Sequence, residues 1–286
     1  MIPLRDHNPS GRTPFVTWAL IALNIVVFLA YLPLFGDPRA LMAFFSEWGV
    51  VPVRLTAGEG WAGLLSSQFL HGGWLHLGFN MLFLWIFGDN MEEEWGHLPF
   101  LGFYLACGVA AAAVQVLAEP ASPVPMVGAS GAIAGVLGGY LLMFPRARVD
   151  VLFIIVILVR IVALPAWVVL GAWFGLQLLG GVASDPAAGG VAYWAHAGGF
   201  LAGMALVLPL WLRRGGPAFW RRTEGTPPHP EARYRLVESH VPRAGRGRRT
   251  PEAPASGSRA AGPWGRVAER PRQSRSLFPK VPRRRD

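Results

Sequence analysis

Six apolar stretches decide what this chain can become. They lie near residues 15–32, 74–88, 98–118, 127–144, 163–180 and 191–212, and each approaches the length needed to cross a hydrocarbon core about 30 Å thick. Read as helices they make an all-α polytopic membrane bundle of six. Composition agrees: 52% of the residues are apolar and 15% are charged, against roughly a quarter charged in soluble domains. The first stretch follows Arg5 and Arg12 but is long for a signal sequence, has no small-x-small cleavage site and precedes five further stretches, so it reads as a retained helix. The single cysteine, Cys107, sits in the third stretch, which excludes an internal disulfide and any cysteine-based metal site.

The stretches at 74–88 and 127–144 are short, roughly 22–27 Å at 1.5 Å per residue, and leave room for water above one end. A loop of about forty residues, Pro33 to Gly73, carries Phe44, Phe45, Trp48 and Trp61 and suits the headgroup layer. The segment Val151–Ile161 either extends the fifth helix or lies at the interface. After Leu212 the composition turns to Arg, Pro, Gly and Ser without periodicity, which predicts a disordered basic tail. The domains expected are therefore an N-terminal segment 1–14, a membrane domain 15–212 and a tail 213–286. From Arg213 onward lie 19 of the 26 basic residues and 6 of the 17 acidic ones, so the high net charge belongs to the tail. Excess Lys and Arg on the cytoplasmic side then predicts that both termini are inside.

Polar residues within apolar spans are costly and each asks for a reason. His71, His76 and Asn80 open the second helix, Ser130 opens the fourth and His196 lies near the start of the sixth. With the N-terminus inside, all three helices enter from outside, so these groups share one depth within roughly 10 Å of the outer ends. Gly131, Gly135 and Gly139 on the fourth helix, and Ala195, Gly199 and Gly203 on the sixth, form small-residue stripes that let backbones approach closely. Gly131, Gly135, Gly199 and Gly203 are thus the expected packing contacts. Ser130 adjoins the first stripe and His196 shares the face of Gly199. Held so, they suit a nucleophile and its general base. His76 and Asn80, at i and i+4, suit donors to a developing oxyanion, with the Ser130 N–H as a further donor. No carboxylate lies within the fourth or sixth helix, which predicts a dyad, with Asp185 as the loop acid to consider.

Other readings use the same residues. Ser130 taken singly is a packing residue and His196 a hydrogen-bonded structural one. Three histidines are the usual start of a metal site, but His71 and His76 are about 140° apart around a helix and no H-E-x-x-H occurs, so no metal or other cofactor is expected. Gly128-Ala129-Ser130-Gly131-Ala132 also departs from a G-x-S-x-G elbow.

The run His71-Gly-Gly-Trp-Leu-His76-Leu-Gly-Phe-Asn80, then Gly128-Ala-Ser130-Gly131, then Ala195-His196-Ala-Gly198-Gly199-Phe200, with Phe87-Gly-Asp-Asn-Met-Glu-Glu-Glu-Trp-Gly96 between, resembles the rhomboid intramembrane serine proteases. The resemblance runs from about Phe15 to Leu212. It implies a six-helix bundle with a water-filled cavity opening outward, Ser130 as nucleophile, His196 as general base, and His76 and Asn80 in the oxyanion hole. It implies His71 at the mouth of the site and Glu92–Gly96 as a structural helix end. Some bacterial relatives carry a Tyr four residues after the serine, stacked on the histidine; here that position is Ala134, and Trp194 or Phe200 is the expected substitute.

The expected substrates are single-span membrane proteins admitted from the lipid bilayer and cut near its outer face, in a bacterial plasma (inner) membrane. Trp167, Trp173 and Phe174 on the fifth helix read either as a gate or as lipid-facing packing. The basic tail reads either as a ligand for anionic headgroups or as a topology-fixing extension; no aromatic–basic motif points to nucleic acid. From other classes, a non-catalytic rhomboid-like binder is the main alternative and a transporter the next, the latter without an inverted repeat or intramembrane carboxylate.

Overall fold

The computed structural model describes residues 2–8, 10–155, 158–183 and 190–230; Asp185 and the tail from 231 onward lie outside that set. A strand β1 (Ile2–Asp6) precedes helix α1 (Phe15–Tyr31). The long loop folds into three short helices, α2 (Pro38–Trp48), α3 (Pro52–Thr56) and α4 (Gly63–Ser66). The body follows with α5 (Trp74–Trp95), α6 (His97–Ala118) and α7 (Ser130–Met143). Strands β2 (Arg148–Ile155) and β3 (Leu158–Pro165) lead to α8 (Ala166–Ala183), α9 (Tyr193–Arg213) and α10 (Pro217–Thr223).

Among the described residues, four segments are long and apolar enough to cross a membrane: Phe15–Gly36, His97–Ala118, Ala166–Ala183 and Tyr193–Arg213. Helix α7, at 14 residues, is shorter. Helix α5 is long enough, but His76, Asn80, Asp89 and Asn90 dilute its apolar character. It is also not the short helix expected. It continues seven residues past 88 because Glu92 has a task at that end. The Glu92 carboxylate accepts the Val16 N–H at 2.9 Å and the Thr17 N–H and hydroxyl at 2.7 Å each. These amides open α1, where Pro14 offers no side-chain cap and the first-turn N–H groups lack intrahelical acceptors. Gly96, at φ 79°, then ends α5.

Helix α7 is the axis of the bundle, packed against α5, α6, α8 and α9, with every residue from Gly131 to Tyr140 buried. Glycine makes this possible. A Cβ on Gly199 would overlap the carbonyl oxygen of Gly131, and one on Gly203 that of Gly135. A Cβ on Gly131 or Gly135 would in turn meet Ala111 or Cys107 of α6. Among lipid-solvated helices, where apolar burial gives little drive, such close backbone contact is what dispersion and packing act through.

One expectation fails at the end of the bundle that holds the N-terminal strand. The fold is not all-α: β1, β2 and β3 form an antiparallel sheet in that order, with Ile2 opposite Leu152 and Arg148 opposite Pro165. The described residues of the 151–161 segment are therefore strand and do not extend the fifth helix. Val and Ile, stiff at χ1, favour extended backbone, and Asp150 ties β1 down by accepting from Arg5 and pairing with His7, each at 2.7 Å. Residues just past 212, placed in the tail by composition, also pack on the bundle. Helix α10 buries Phe219 against Phe144, and Trp220 donates its indole N–H to the Leu142 carbonyl at 2.9 Å. Farther on, the Gly225 carbonyl accepts from Arg146 N–H and His229 pairs with Glu93.

The long loop folds back on the opposite end. Phe44 and Phe45 pack against Tyr31, while Trp48 and Trp61 are exposed.

Candidate active site

Helices α5, α7 and α9 all begin at the same end of the bundle. His76 and Asn80 are the third and seventh residues of α5, Ser130 the first of α7 and His196 the fourth of α9. At 1.5 Å per residue all four lie within about 10 Å of their helix starts. They line one cavity of about 500 Å³, bounded also by Gln68, Gly128 and Trp173.

The Ser130 Oγ and His196 Nε2 are 2.7 Å apart, within hydrogen-bond reach. The glycine contacts between α7 and α9 set this distance. Helix α6 adds a second constraint, since Gln115 Oε1 accepts the Ala195 N–H at 3.0 Å. On its other edge, His196 Nδ1 lies 2.8 Å from Gln177 Oε1 of α8. The Trp173 ring, one turn earlier on α8, lies over His196 at 5.8 Å between centroids and 34° between planes.

The substitute for the absent aromatic at Ala134 is thus Trp173, rather than Trp194 or Phe200. Trp194 packs where Gly181 leaves room, and Phe200 stacks on Phe174 at 4.6 Å. Of the three fifth-helix aromatics, Trp173 and Phe174 face inward and Trp167 is exposed.

Across the cavity, His76 Nδ1 accepts the Gly72 N–H at 3.3 Å. A neutral imidazole so engaged carries its proton on Nε2. That nitrogen faces Gly128: a Cβ there would stand 2.8 Å from His76 Nε2 and 3.3 Å from Ser130 Oγ. Gly128 also has φ 137°, a conformation other residues rarely adopt. Glycine therefore keeps open the space between the two. Asn80 is buried, and its Nδ2 has no acceptor among the described residues. An unmet buried donor in a cavity wall is costly and asks for a functional explanation. The N–H groups that open α7 are likewise free of intrahelical acceptors.

His71 is not at the mouth. It is fully buried behind His76, edge-on at 5.0 Å, because its backbone is pinned from both sides by Tyr31. The Tyr31 hydroxyl donates to the His71 carbonyl at 2.8 Å and accepts its N–H at 2.6 Å. Among the described residues no group of three or more His, Cys, Asp or Glu is placed to hold a metal. Gln177 and Gln115 were missed in the sequence, although the rule that flags polar residues inside apolar stretches applies to both.

Comparison with known proteins gives the family. A family model described as the Rhomboid domain matches residues 58–213, more than half of the chain. The chain is 38% identical over 131 residues to the rhomboid protease GluP of Bacillus subtilis (strain 168), covering 45% of this chain and 24% of that protein. It is 30% identical over 198 residues to the mitochondrial Rhomboid protein 1 of Saccharomyces cerevisiae, covering 66% and 51%, and 31% identical over 170 residues to RHOMBOID-like protein 5 of Arabidopsis thaliana, covering 49% and 55%. It thus spans between a quarter and about half the length of these relatives. With apolar helices long enough to cross a bilayer and a matched domain over most of the bundle, the chain belongs to the rhomboid family of multi-pass membrane proteins.

Proposed function

We propose that this chain is an intramembrane serine endopeptidase, and the observation that carries the reading is the 2.7 Å contact between Ser130 Oγ and His196 Nε2 at the wall of a cavity with unmet donors. Ser130 Oγ attacks the carbonyl carbon of the scissile bond as its proton passes to His196 Nε2. The carbonyl electron pair moves to oxygen, and that oxyanion accepts hydrogen bonds from Asn80 Nδ2, His76 Nε2–H and the first N–H groups of α7. Collapse breaks the C–N bond, the Nε2 proton goes to the leaving amine, and the acyl group stays on Oγ. Water then gives a proton to Nε2 as its oxygen attacks the acyl carbon, and Ser130 leaves with the proton returned. Each donor is worth about 3 kcal/mol in the transition state.

The setting supports membrane substrates. The cavity supplies water at the depth of the helix starts, and the flanking helices are apolar enough to face lipid. In this reading α1, α5, α6, α7, α8 and α9 all span, α7 being short because it is enclosed by its neighbours. Both termini face the cytoplasm of a bacterial-type plasma membrane, as the basic tail favours. Substrates are single-span proteins entering from the bilayer and cut near its outer face, and the tail meets anionic headgroups on the inner leaflet. The reaction with a serine-directed fluorophosphonate tests the site. Labelling mapped to Ser130, and lost in His196→Ala, is the expected result; labelling elsewhere, or labelling of Ser130 that ignores His196, would overturn the assignment and favour a non-catalytic binder.

A further inference from the structure

We infer that Gln177 is the positioning residue of this site, fixing the tautomer and the ring plane of His196 in place of a triad carboxylate. This rests on the reading of Ser130 and His196 given above. Gln177 is buried on α8 and makes two hydrogen bonds that together orient its amide. Its Nε2 donates to the Trp173 carbonyl one turn earlier at 3.3 Å, and its Oε1 lies 2.8 Å from His196 Nδ1. The reversed amide would set Oε1 against the Trp173 carbonyl, two acceptors facing each other, so the oxygen belongs on the histidine side. An acceptor at 2.8 Å requires a proton on Nδ1. In the neutral ring the lone pair then falls on Nε2, aimed at the Ser130 hydroxyl 2.7 Å away. Ser130 can therefore give its proton to Nε2 without a prior tautomer change.

One turn of α8 holds the imidazole twice. Gln177 fixes its edge, and the Trp173 ring restrains its face. The residue that fixes Gln177 is Trp173 itself, through its carbonyl. A neutral amide suits the location. A carboxylate on an apolar helix would have to be kept ionised in a poorly solvated place, whereas an amide sets the tautomer without a buried charge. Among the described residues, the other titratable side chain lining the cavity is His76 of α5, and none of those lining it is a carboxylate.

The test uses the full chain in lipid nanodiscs, with Gln177→Leu, which keeps bulk and removes the acceptor, and Gln177→Glu, which keeps the acceptor. Nitrogen NMR of the histidine-labelled protein reads the tautomer directly. The wild type is expected to carry the His196 proton on Nδ1, and Gln177→Leu to lose that preference. In cleavage assays Gln177→Leu should lower kcat about 10- to 100-fold with KM unchanged, while Gln177→Glu retains kcat within a few-fold and loses activity at a higher pH on the acid side, because a carboxylate favours the imidazolium. A packing role predicts the reverse order, with Leu harmless and Glu harmful, and that order would overturn the inference. So would a wild-type ring protonated on Nε2. Absence of both cleavage and phosphonate labelling in the wild type would instead remove the protease reading, and the NMR comparison would still decide whether Gln177 sets the ring.

Discussion

Replacing Gly199 by alanine puts one methyl group between α9 and α7, where a Cβ would overlap the Gly131 carbonyl oxygen. The obstruction is backbone, so no side chain can swing away. Restoring ordinary contact at 3.4 Å or more requires the two helices to part by about 1 Å, because packed interiors take up volume by rigid shifts. His196 lies three residues from Gly199 and Ser130 next to Gly131, so the 2.7 Å contact between Oγ and Nε2 widens toward the limit of a hydrogen bond. A misplacement of about 1 Å costs on the order of 100-fold in rate, and the overpacking itself costs about 1–3 kcal/mol of stability. The control is Gly171→Ala on α8, where nothing lies within 4 Å of the added carbon and activity should be unchanged. Cleavage rate, phosphonate labelling rate and thermal midpoint in nanodiscs read the three effects. A Gly199→Ala protein with wild-type kcat and midpoint would refute the claim that close approach of these backbones sets the dyad distance.

Asn80→Ala removes the unmet donor and should lower kcat by about 100- to 1,000-fold with little change in KM; a loss confined to KM would place Asn80 in ground-state binding. Glu92→Ala strands the Val16 and Thr17 amides and should lower stability by at least about 2 kcal/mol, read as an earlier thermal midpoint. The third concerns pH. Asp6 is buried, beside Asp89, and accepts from Tyr140 and Asn90; burial first, then the Asp89 charge, push its carboxyl up to about 7 from 3.8. The folded chain therefore holds this proton where the unfolded chain has released it. Stability at this site is greatest near pH 4 and declines as pH rises through 7, by up to about 4 kcal/mol. Asp6→Asn should flatten that decline between pH 5 and 8, and a wild-type midpoint independent of pH over that range would contradict it.

Much of this architecture was legible in the chain because its causes are local. Apolar length located the helices, and polar residues that a membrane helix avoids marked Ser130, His196, His76 and Asn80 at one depth. The small-residue stripes named the contacts that bring Ser130 to His196. Other features depend on partners distant in sequence. The Val/Ile run at 151–161 has the hydropathy of a span, and its described residues are sheet because β2 pairs with β3 and with β1. The continuation of α5 to Trp95 depends on the amides of α1 that Glu92 caps. The fold of 217–223 depends on an apolar end at Phe144 and Leu142, which composition could not reveal beneath so many arginines. His71 carries the same residue type as His76, and its burial follows from a Tyr31 hydroxyl forty positions away. The aromatic over His196 comes not from its own helix but from α8, as Trp173. Gln177 and Gln115 were within reach of the rule applied to histidine and asparagine, since an amide inside an apolar stretch needs a partner just as they do.

The proposed reaction is cleavage of peptide bonds in membrane substrates by Ser130, activated by His196. Its most direct test is cleavage of a labelled single-span protein in liposomes by the wild-type chain and by Ser130→Ala. A defined product near the outer end of the substrate span, lost in the variant, is the expected result. Equal cleavage by both proteins, or none by either across several substrates with destabilised spans, would contradict it.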